Sequence, residues 1–219
     1  MRIHPHTLSI ILFLFGAFIS FAQYAKEDWE DRDTWMKVDQ LFKLAEVGEG
    51  DKVADIGCHE GYLSFHISKQ VGSNGKVFSV DVQEYRLEDL NEYIKERKVS
   101  NIEVILGDYD DPKLPEGLLD VVFIVDTYHE MDDYMKILAH VRKALKSDGI
   151  VLILEKLKDP HKGKSRDAQA SSHTLASKYV RQELEEAGFK ITKEINDFGI
   201  WNHEPEKNMW ILVAEKNKN

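Results

Sequence analysis

Acidic residues and glycines at a spacing suited to a ribose-containing ligand occur in the first half of the chain. Asp55, Gly57 and Gly61 lie at or just after the end of a short apolar run, and Asp81 ends the next run, about 20 residues beyond Gly61. Glycines let the backbone approach a ligand closely, and a carboxylate at that distance can accept hydrogen bonds from the two ribose hydroxyls. We therefore expect these residues to share one binding site.

The runs that precede these residues alternate with helical patterns from residue 52 onward. Apolar, β-branched segments predict strands at 53–56, 77–80, 102–106, 121–125, 150–154, 189–195 and 209–214, and amphipathic segments predict helices at 63–71, 86–98, 134–145 and 176–187. This alternation predicts right-handed βαβ units and a mostly parallel sheet covered on both faces. The polar stretch between the last two strands predicts a hairpin, which makes the last strand antiparallel to its neighbour.

The order of these segments resembles that of the class I methyltransferases that depend on S-adenosyl-L-methionine (SAM). The matching segments are 53–62, which resembles their first motif, 80–81 and 107–108, which resemble the ribose and adenine positions, and 120–123, 145–149 and 186–189, which are similar to the motifs around strands four, five and six. The resemblance covers about residues 30–215. It implies an α/β fold: a three-layer, doubly wound, Rossmann-like sheet of seven strands, with an antiparallel last strand beside the fifth.

The resemblance also implies SAM as the cofactor and assigns residues to it by position. Asp55 and the loop containing Gly57, Cys58, His59 and Gly61 would face the amino-acid end of SAM, Asp81 with Val82 would hold the ribose, Asp108 and Tyr109 would hold the adenine, and Asp126 could contact the amino group. One position departs from the family, which usually has a glycine where this chain has His59. That side chain could point away from SAM, contact its carboxylate, or crowd the pocket.

Candidates for the chemical step follow the fourth predicted strand. A transferase must align the acceptor with the methyl group and, where necessary, remove a proton. His129 is the candidate general base, because histidine titrates near neutral pH, and Glu130 could orient it. Alternatively, His129 only caps and packs the following helix.

Candidate acceptor contacts lie on three segments. They are Arg32 and Trp35 on a predicted helix before the first strand, Tyr128 beside His129, and Arg166 and His173 after the fifth strand. The helix could form a lid or simply pack, and the later segment could close over the acceptor or be an ordinary surface loop.

No metal site is predicted. The single cysteine, Cys58, excludes a thiolate cluster. A catechol-type transferase needs an acidic cluster, and although Asp126, Asp132 and Asp133 are available, no Asp-Asn pair follows the fifth strand.

The charge of the chain favours a small-molecule acceptor. The formal net charge is −10, which disfavours nucleic acid as a partner. A nicotinamide-dependent oxidoreductase is disfavoured because three residues separate Gly57 from Gly61, unlike the Gly-x-Gly-x-x-Gly pattern. A non-catalytic module that binds SAM or a similar nucleoside stays open as the alternative. The sequence does not predict an oligomeric state.

The N-terminal segment predicts export. Arg2 precedes an uncharged apolar run at residues 8–22, which is shorter than the roughly 20 residues needed to span a bilayer. Ser20 and Ala22 place small side chains before a cleavage site. We therefore expect a signal peptide at 1–22 and a SAM-binding domain at 23–219, periplasmic or secreted and without stable membrane insertion. An uncleaved anchor and a buried helix are the alternatives.

Overall fold

The computed structural model describes residues 26–217. The predicted signal peptide lies outside these residues and stays a prediction, as does the domain boundary at residue 23. Among the helices of the described part, none is both long enough and apolar enough to cross a membrane.

Seven strands form one sheet in the described part of the chain. They are β1 Lys52–Ile56, β2 Lys76–Asp81, β3 Ile102–Leu106, β4 Leu119–Val125, β5 Leu145–Lys158, β6 Phe189–Ile200 and β7 Lys207–Lys216. Their order is β3-β2-β1-β4-β5-β7-β6, and β7 runs antiparallel between β5 and β6. The predicted fold class is confirmed, including the antiparallel last strand beside the fifth.

Helices cover both faces of this sheet. The α-helices are α1 Trp29–Trp35, α2 Val38–Leu44, α3 Tyr62–Val71, α4 Glu84–Arg97, α5 Tyr134–Ala144, α6 Arg166–Ala170 and α7 Ser177–Glu186. Alternate residues of β4 enter two separate cores: Phe123 packs with Leu41 of α2 and Ile67 of α3, whereas Val122 packs with Leu138 of α5 and residues of α7. This burial on both sides explains why the parallel strands read as continuous apolar runs.

The fifth strand is longer than its apolar run predicts. The structure extends β5 from Leu145 to Lys158, and the helix before it ends at Ala144 rather than at residue 145. The extension beyond residue 154 has a non-local cause, because β7 pairs with β5 from Ile150 to Lys158. At the other end, Leu145 pairs with Leu119 of β4. Pairing along this length carries two charged residues, Glu155 and Lys156, into the interior.

The carboxyl ends of β1, β2, β4 and β5 meet at one edge of the sheet. There β1 lies between β2 and β4, so the connections after β1 and β4 leave in opposite directions. Such a switch point is where open α/β sheets bind their ligands.

Candidate cofactor and acceptor site

A cavity of about 1210 Å³ opens at this edge of the sheet. Of the residues predicted for the site, those lining it are Arg32, Trp35, Asp55, Gly57, Cys58, His59, Asp81, Val82, Asp108, Tyr109, Asp126, His129, Glu130 and His173. Typical ligand pockets measure about 300–1,000 Å³, so this cavity has room for a nucleoside cofactor together with a small acceptor.

The turn after β1 needs glycine at two positions. Gly57 has φ +77°, and a Cβ there would lie 2.5 Å from the Thr127 side chain. Gly61, at φ +93°, supports the turn from behind rather than lining the cavity, and a Cβ there would lie 2.4 Å from Leu90 Cδ1. The turn is therefore wedged between the segment after β4 on one side and α4 on the other.

His59 occupies the position where the family usually has glycine, and its backbone explains that usage. Its φ of +53° lies in the left-handed region that glycine adopts most easily. The backbone N–H of His59 donates to Asp81 Oδ2 at 2.9 Å. Burial, with Arg86 and Arg32 nearby, lowers the pKa of the imidazole to about 3, so the side chain is neutral. His59 lines the cavity without closing it.

Asp81 is held in place at the end of β2. Its Oδ2 accepts from His59 N, and its Oδ1 accepts from Gln83 N at 2.9 Å. Each carboxylate oxygen can accept more than one hydrogen bond, and the residue lines the cavity and is half-buried. Its position and fixed orientation fit the task of accepting two adjacent ribose hydroxyls.

The adenine end of the predicted site is open to solvent. Asp108 lies 3.1 Å from Lys113 Nζ in an exposed ion pair, and Tyr109 is 78% exposed. The Tyr109 ring therefore does not block the cavity. It lies at the rim, where it could cover a flat ligand ring.

The part of the cavity around the Gly57 turn and Asp81 is predicted to hold the cofactor and is called the cofactor half. Asp55 and Cys58 are two of its buried residues. Burial raises the pKa of the Cys58 thiol well above its ordinary value, so the sulfur stays protonated and unreactive. Burial also raises the pKa of Asp55 to about 6, although a hydrogen bond from Ser64 Oγ at 2.6 Å and the charge of Arg32 act in the opposite direction.

Asp55 should make the stability of the fold depend on pH. Its folded-state pKa of about 6 exceeds the ordinary 3.8, so its stabilising contribution is complete below pH 3.8 and is lost as the pH rises through 6. In the wild type, the free energy of unfolding should therefore fall by about 3 kcal/mol over this pH range, and Asp55→Asn should remove the fall. Urea unfolding over a pH series measures it. Asp148→Asn, at the opposite edge of the sheet, should keep the wild-type profile, and identical profiles for wild type and Asp55→Asn would contradict the assignment.

The part of the cavity beside the ends of β4 and β5 is predicted to hold the acceptor and is called the acceptor half. It contains a buried ion pair that was not predicted from the sequence. Asp126, at φ +54°, contacts Lys156 Nζ through Oδ1, and both side chains are almost fully buried. The ammonium group of Lys156 also lies 4.6 Å from the centre of the Trp201 ring. Since Asp126 Oδ1 neutralises Lys156, contact between this carboxylate and the amino group of SAM stays a prediction.

His129 is surrounded by carboxylates. Its Nδ1 lies 2.9 Å from both carboxylate oxygens of the buried Glu155, and its Nε2 lies 3.0 Å from Glu130 Oε1. The backbone N–H of His129 also donates to Glu155 Oε1. Burial lowers the pKa of the imidazole, but Glu155, Glu130 and Asp126 outweigh this effect and raise it to about 10. A charged imidazolium has no free lone pair, which argues against the expected role of His129 as a general base at neutral pH.

Glu130 joins His129 to His173. Its Oε1 lies 2.5 Å from His173 Nδ1, and the side chains of Glu130 and His173 are both more than half exposed. Hydrogen bonds from His129 above all, and then from His173, lower the pKa of Glu130 to about 2 despite partial burial. The four groups thus form a continuous polar chain from Glu155 inside the protein to His173 at the cavity.

Two predicted acceptor contacts lie away from the cavity. Tyr128 is fully buried and its hydroxyl donates to Glu183 Oε2 at 2.9 Å. Arg166 donates from Nε to Glu183 Oε1 at 2.6 Å and stacks on the Tyr134 ring. Neither residue lines the cavity in this structure, because Glu183 of α7 holds both in the packing between α6, α7 and the segment after β4. Their contact with the acceptor therefore stays a prediction that the structure does not support.

The helix before β1 forms a wall of the cavity. Arg32 is buried, with its guanidinium carbon 4.3 Å from the centre of the Tyr62 ring, and Trp35 packs on Trp201 with ring centres 4.7 Å apart. The sequence left two roles open for this helix, a lid over the acceptor or simple packing. In the structure, the residues of the helix that line the cavity are packed against other side chains.

Several cavity residues come from the far end of the sheet. Lys156 and Lys158 of β5, and Asn202, Glu204 and Lys207 before or at the start of β7, line the acceptor half. One feature of the sequence could have indicated the two lysines. Charged residues, beginning with Glu155 and Lys156, directly follow the apolar run of the fifth strand and so continue it toward the ligand-binding edge.

Known proteins share both the sequence pattern and the fold. A family described as a methyltransferase domain matches residues 48–193. Demethylmenaquinone methyltransferase of Geobacillus sp. (strain WCH70) is 28% identical over 137 residues, which cover 63% of this chain and 54% of that protein. (S)-Coclaurine N-methyltransferase of Thalictrum flavum is 27% identical over 109 residues, covering 50% of this chain and 30% of that protein. The chain thus spans about half or less of these relatives.

The fold agrees with solved structures over nearly the whole chain. A SAM-dependent methyltransferase from Aquifex aeolicus superimposes with a TM-score of 0.73 at 23% identity, covering 88% of this chain and 96% of that one. The PH0226 protein of Pyrococcus horikoshii gives a TM-score of 0.70 at 19% identity, covering 90% and 97%. With the family match, the glycine turn and the Asp81 edge in place, the chain belongs to the family of methyltransferase domains.

Proposed function

We propose that the chain transfers the methyl group of SAM to a small-molecule acceptor bound beside the ends of β4 and β5. One observation carries this proposal: a single cavity joins the Gly57 turn and Asp81 on one side to His129, Glu130 and His173 on the other. A donor and an acceptor bound in these two halves would lie next to each other. The net charge of −10 and the names of the relatives, which refer to small molecules, support this class of acceptor.

The residues present fit SAM. The cradle at Gly57 has no room for a Cβ, Asp81 is oriented by two backbone N–H groups, and Tyr109 leaves the rim open. When bound, SAM supplies an activated methyl group on a positively charged sulfur. Arg32 and Trp35 would close the cavity on one side and exclude water from the reacting groups.

Glu130 and His173 would contact the reacting atom of the acceptor. Glu130 is ionised and exposed to the cavity, and His129 holds it from the buried side. We assign proton uptake from the acceptor to Glu130 and His173, with His129 as a positioning residue that acts through Glu130. This replaces a free His129 base by an oriented carboxylate between two imidazoles.

Asp81→Asn should weaken SAM binding about 10- to 100-fold, because the loss of hydrogen bonds to a charged oxygen costs about 1.5–3 kcal/mol. Isothermal titration calorimetry with SAM and with its demethylated product measures this change. Asp148→Asn removes the same charge at the opposite edge of the sheet and should bind like the wild type. Thermal unfolding of each variant controls for the lost bond from His59 N.

Equal SAM affinity in wild type and Asp81→Asn, or no heat with either ligand, would overturn the proposed function. A methyl-labelled SAM assay with small molecules, RNA and protein offered separately identifies the class of acceptor. SAM binding with no transfer to any of them would favour the non-catalytic binding module instead.

A further inference from the structure

Three nitrogen and oxygen ligands suited to a metal ion converge in the acceptor half. His129 Nε2 lies 3.0 Å from Glu130 Oε1, and His173 Nδ1 lies 2.5 Å from the same oxygen. The three atoms all lie within 4.8 Å of one another. Two imidazoles and one carboxylate form a ligand set that Zn²⁺ uses in sites that keep a fourth position open.

The spacing suits a small ion after a slight opening. Metal–ligand bonds of about 2.0–2.2 Å place tetrahedral ligand atoms roughly 3.3–3.6 Å apart. The two histidine–Glu130 distances, 3.0 Å and 2.5 Å, are shorter than this. Such short distances are expected where a proton lies between the nitrogen and the oxygen. Glu130 and His173 have side chains 53% and 59% exposed, so both can move outward without disturbing the core, whereas His129 is fixed.

The buried side of the cluster has the outer partner that metal-binding histidines commonly have. Glu155, fully buried, holds His129 Nδ1 through both carboxylate oxygens and also accepts from its backbone N–H. Metal binding would displace the Nε2 proton of His129 to solvent, as metal binding to histidine generally does. The carboxylate on Nδ1 would then direct the freed Nε2 lone pair toward the metal and raise its basicity. The neighbouring group of Asp126, His129 and Glu155 is a poorer site, because Lys156 already neutralises Asp126.

We propose that His129, Glu130 and His173 bind one Zn²⁺ ion whose fourth position faces the methyl acceptor. The single cysteine and the absence of an Asp-Asn pair after the fifth strand argue only against thiolate and acidic metal sites, so the prediction of no metal did not cover this one. The ion itself needs only these residues; its use in methyl transfer rests on the proposed function. There it would bind the oxygen, nitrogen or sulfur of a weakly acidic acceptor group such as a phenol or thiol.

With the ion bound, Glu130 and His173 would be metal ligands and would no longer take up the proton of the acceptor. Binding to the ion would instead lower the pKa of the acceptor group, and its proton would leave to solvent. The resulting anion would form the bond to the methyl carbon, while the carbon–sulfur bond of SAM breaks with its electron pair going to sulfur. The products would be the methylated acceptor, the demethylated cofactor and one proton, which balances the reaction.

Zn²⁺ titration of the metal-free full chain, made without a polyhistidine tag, tests the site. We expect one ion per chain by calorimetry and the visible absorption of tetrahedral Co²⁺ when cobalt is used. His173→Gln, at an exposed position, should weaken binding by more than about 100-fold, since loss of an outer partner alone costs 10- to 100-fold. His140→Gln changes a histidine that does not line the cavity and should bind like the wild type.

The absence of a stoichiometric ion on the wild type, or equal affinity in His173→Gln and His140→Gln, would overturn the metal site. Asp81→Asn separates this result from the proposed function, because it should lose SAM affinity and keep Zn²⁺. A chain that binds SAM but no metal would refute only the metal site, and a chain that binds Zn²⁺ but no SAM would refute only the transferase.

Discussion

Lys156→Met should lower the free energy of unfolding by about 3–5 kcal/mol, because it removes the ammonium group that pairs with the buried charge of Asp126. The two side chains are 4% and 0% exposed, so solvent screens this pair only weakly. Methionine keeps most of the side-chain volume, which limits any cavity. Urea unfolding followed by circular dichroism measures the change.

A matched surface pair separates this effect from the loss of any lysine. Lys136 and Asp110 form an ion pair with side chains 58% and 49% exposed. Lys136→Met should change the free energy of unfolding far less than Lys156→Met, because solvent screens both charges. Similar losses for Lys156→Met and Lys136→Met would contradict a buried pair.

A double variant tests whether the lost stability of Lys156→Met comes from the charge that remains on Asp126. Asp126→Asn in the Lys156→Met background removes that charge, and we expect it to restore part of the lost stability. No recovery would show that Lys156 acts through packing on Trp201 instead, since its ammonium group lies over that ring.

The sequence was sufficient to predict the fold, and to predict that Gly57 and Asp81 meet at one edge of the sheet, because both depend on local patterns. Strands buried on two faces give unbroken apolar runs, and Gly57 and Asp81 lie directly at the ends of such runs. The position of each residue along its strand fixes which edge of the sheet it occupies. No long-range contact had to be known.

The acceptor half could not be predicted in the same way because its chemistry comes from distant residues. The charge on His129 depends on Glu155, 26 positions away, and Glu130 meets His173 across 43 positions. Burial of Glu155 and Lys156 follows from the length of the β5–β7 pairing, which the apolar run alone does not specify. From the sequence alone, His129 can be given only the ordinary pKa of histidine. In the folded protein the surrounding carboxylates raise that pKa.

Gly57→Ala should destabilise the fold by about 2–5 kcal/mol and weaken SAM binding more than tenfold. A left-handed backbone costs a residue with a Cβ about 1–2 kcal/mol, and forcing an extra methyl into a packed site costs about 1–3 kcal/mol. The new Cβ would lie 2.5 Å from Thr127, so the turn after β1 and the segment after β4 must move apart. Both line the cavity, which connects the stability change to SAM affinity.

Gly50→Ala separates backbone strain from the steric clash. Gly50 has φ +88°, and a Cβ there would have no atom within 4 Å. It should therefore lose only the conformational part, about 1–2 kcal/mol, with SAM affinity unchanged. Urea unfolding and SAM calorimetry on both variants measure the two contributions.

Thr127→Gly in the Gly57→Ala background removes the Cβ, Oγ1 and Cγ2 atoms that the new methyl group would meet. We expect it to recover the steric part of the loss and some of the SAM affinity, leaving the cost of the left-handed alanine. If the double variant is no better than Gly57→Ala alone, the contact between the two segments does not set the shape of the turn. Recovery would instead show that the ends of β1 and β4 are fitted to each other at the point where cofactor and acceptor meet.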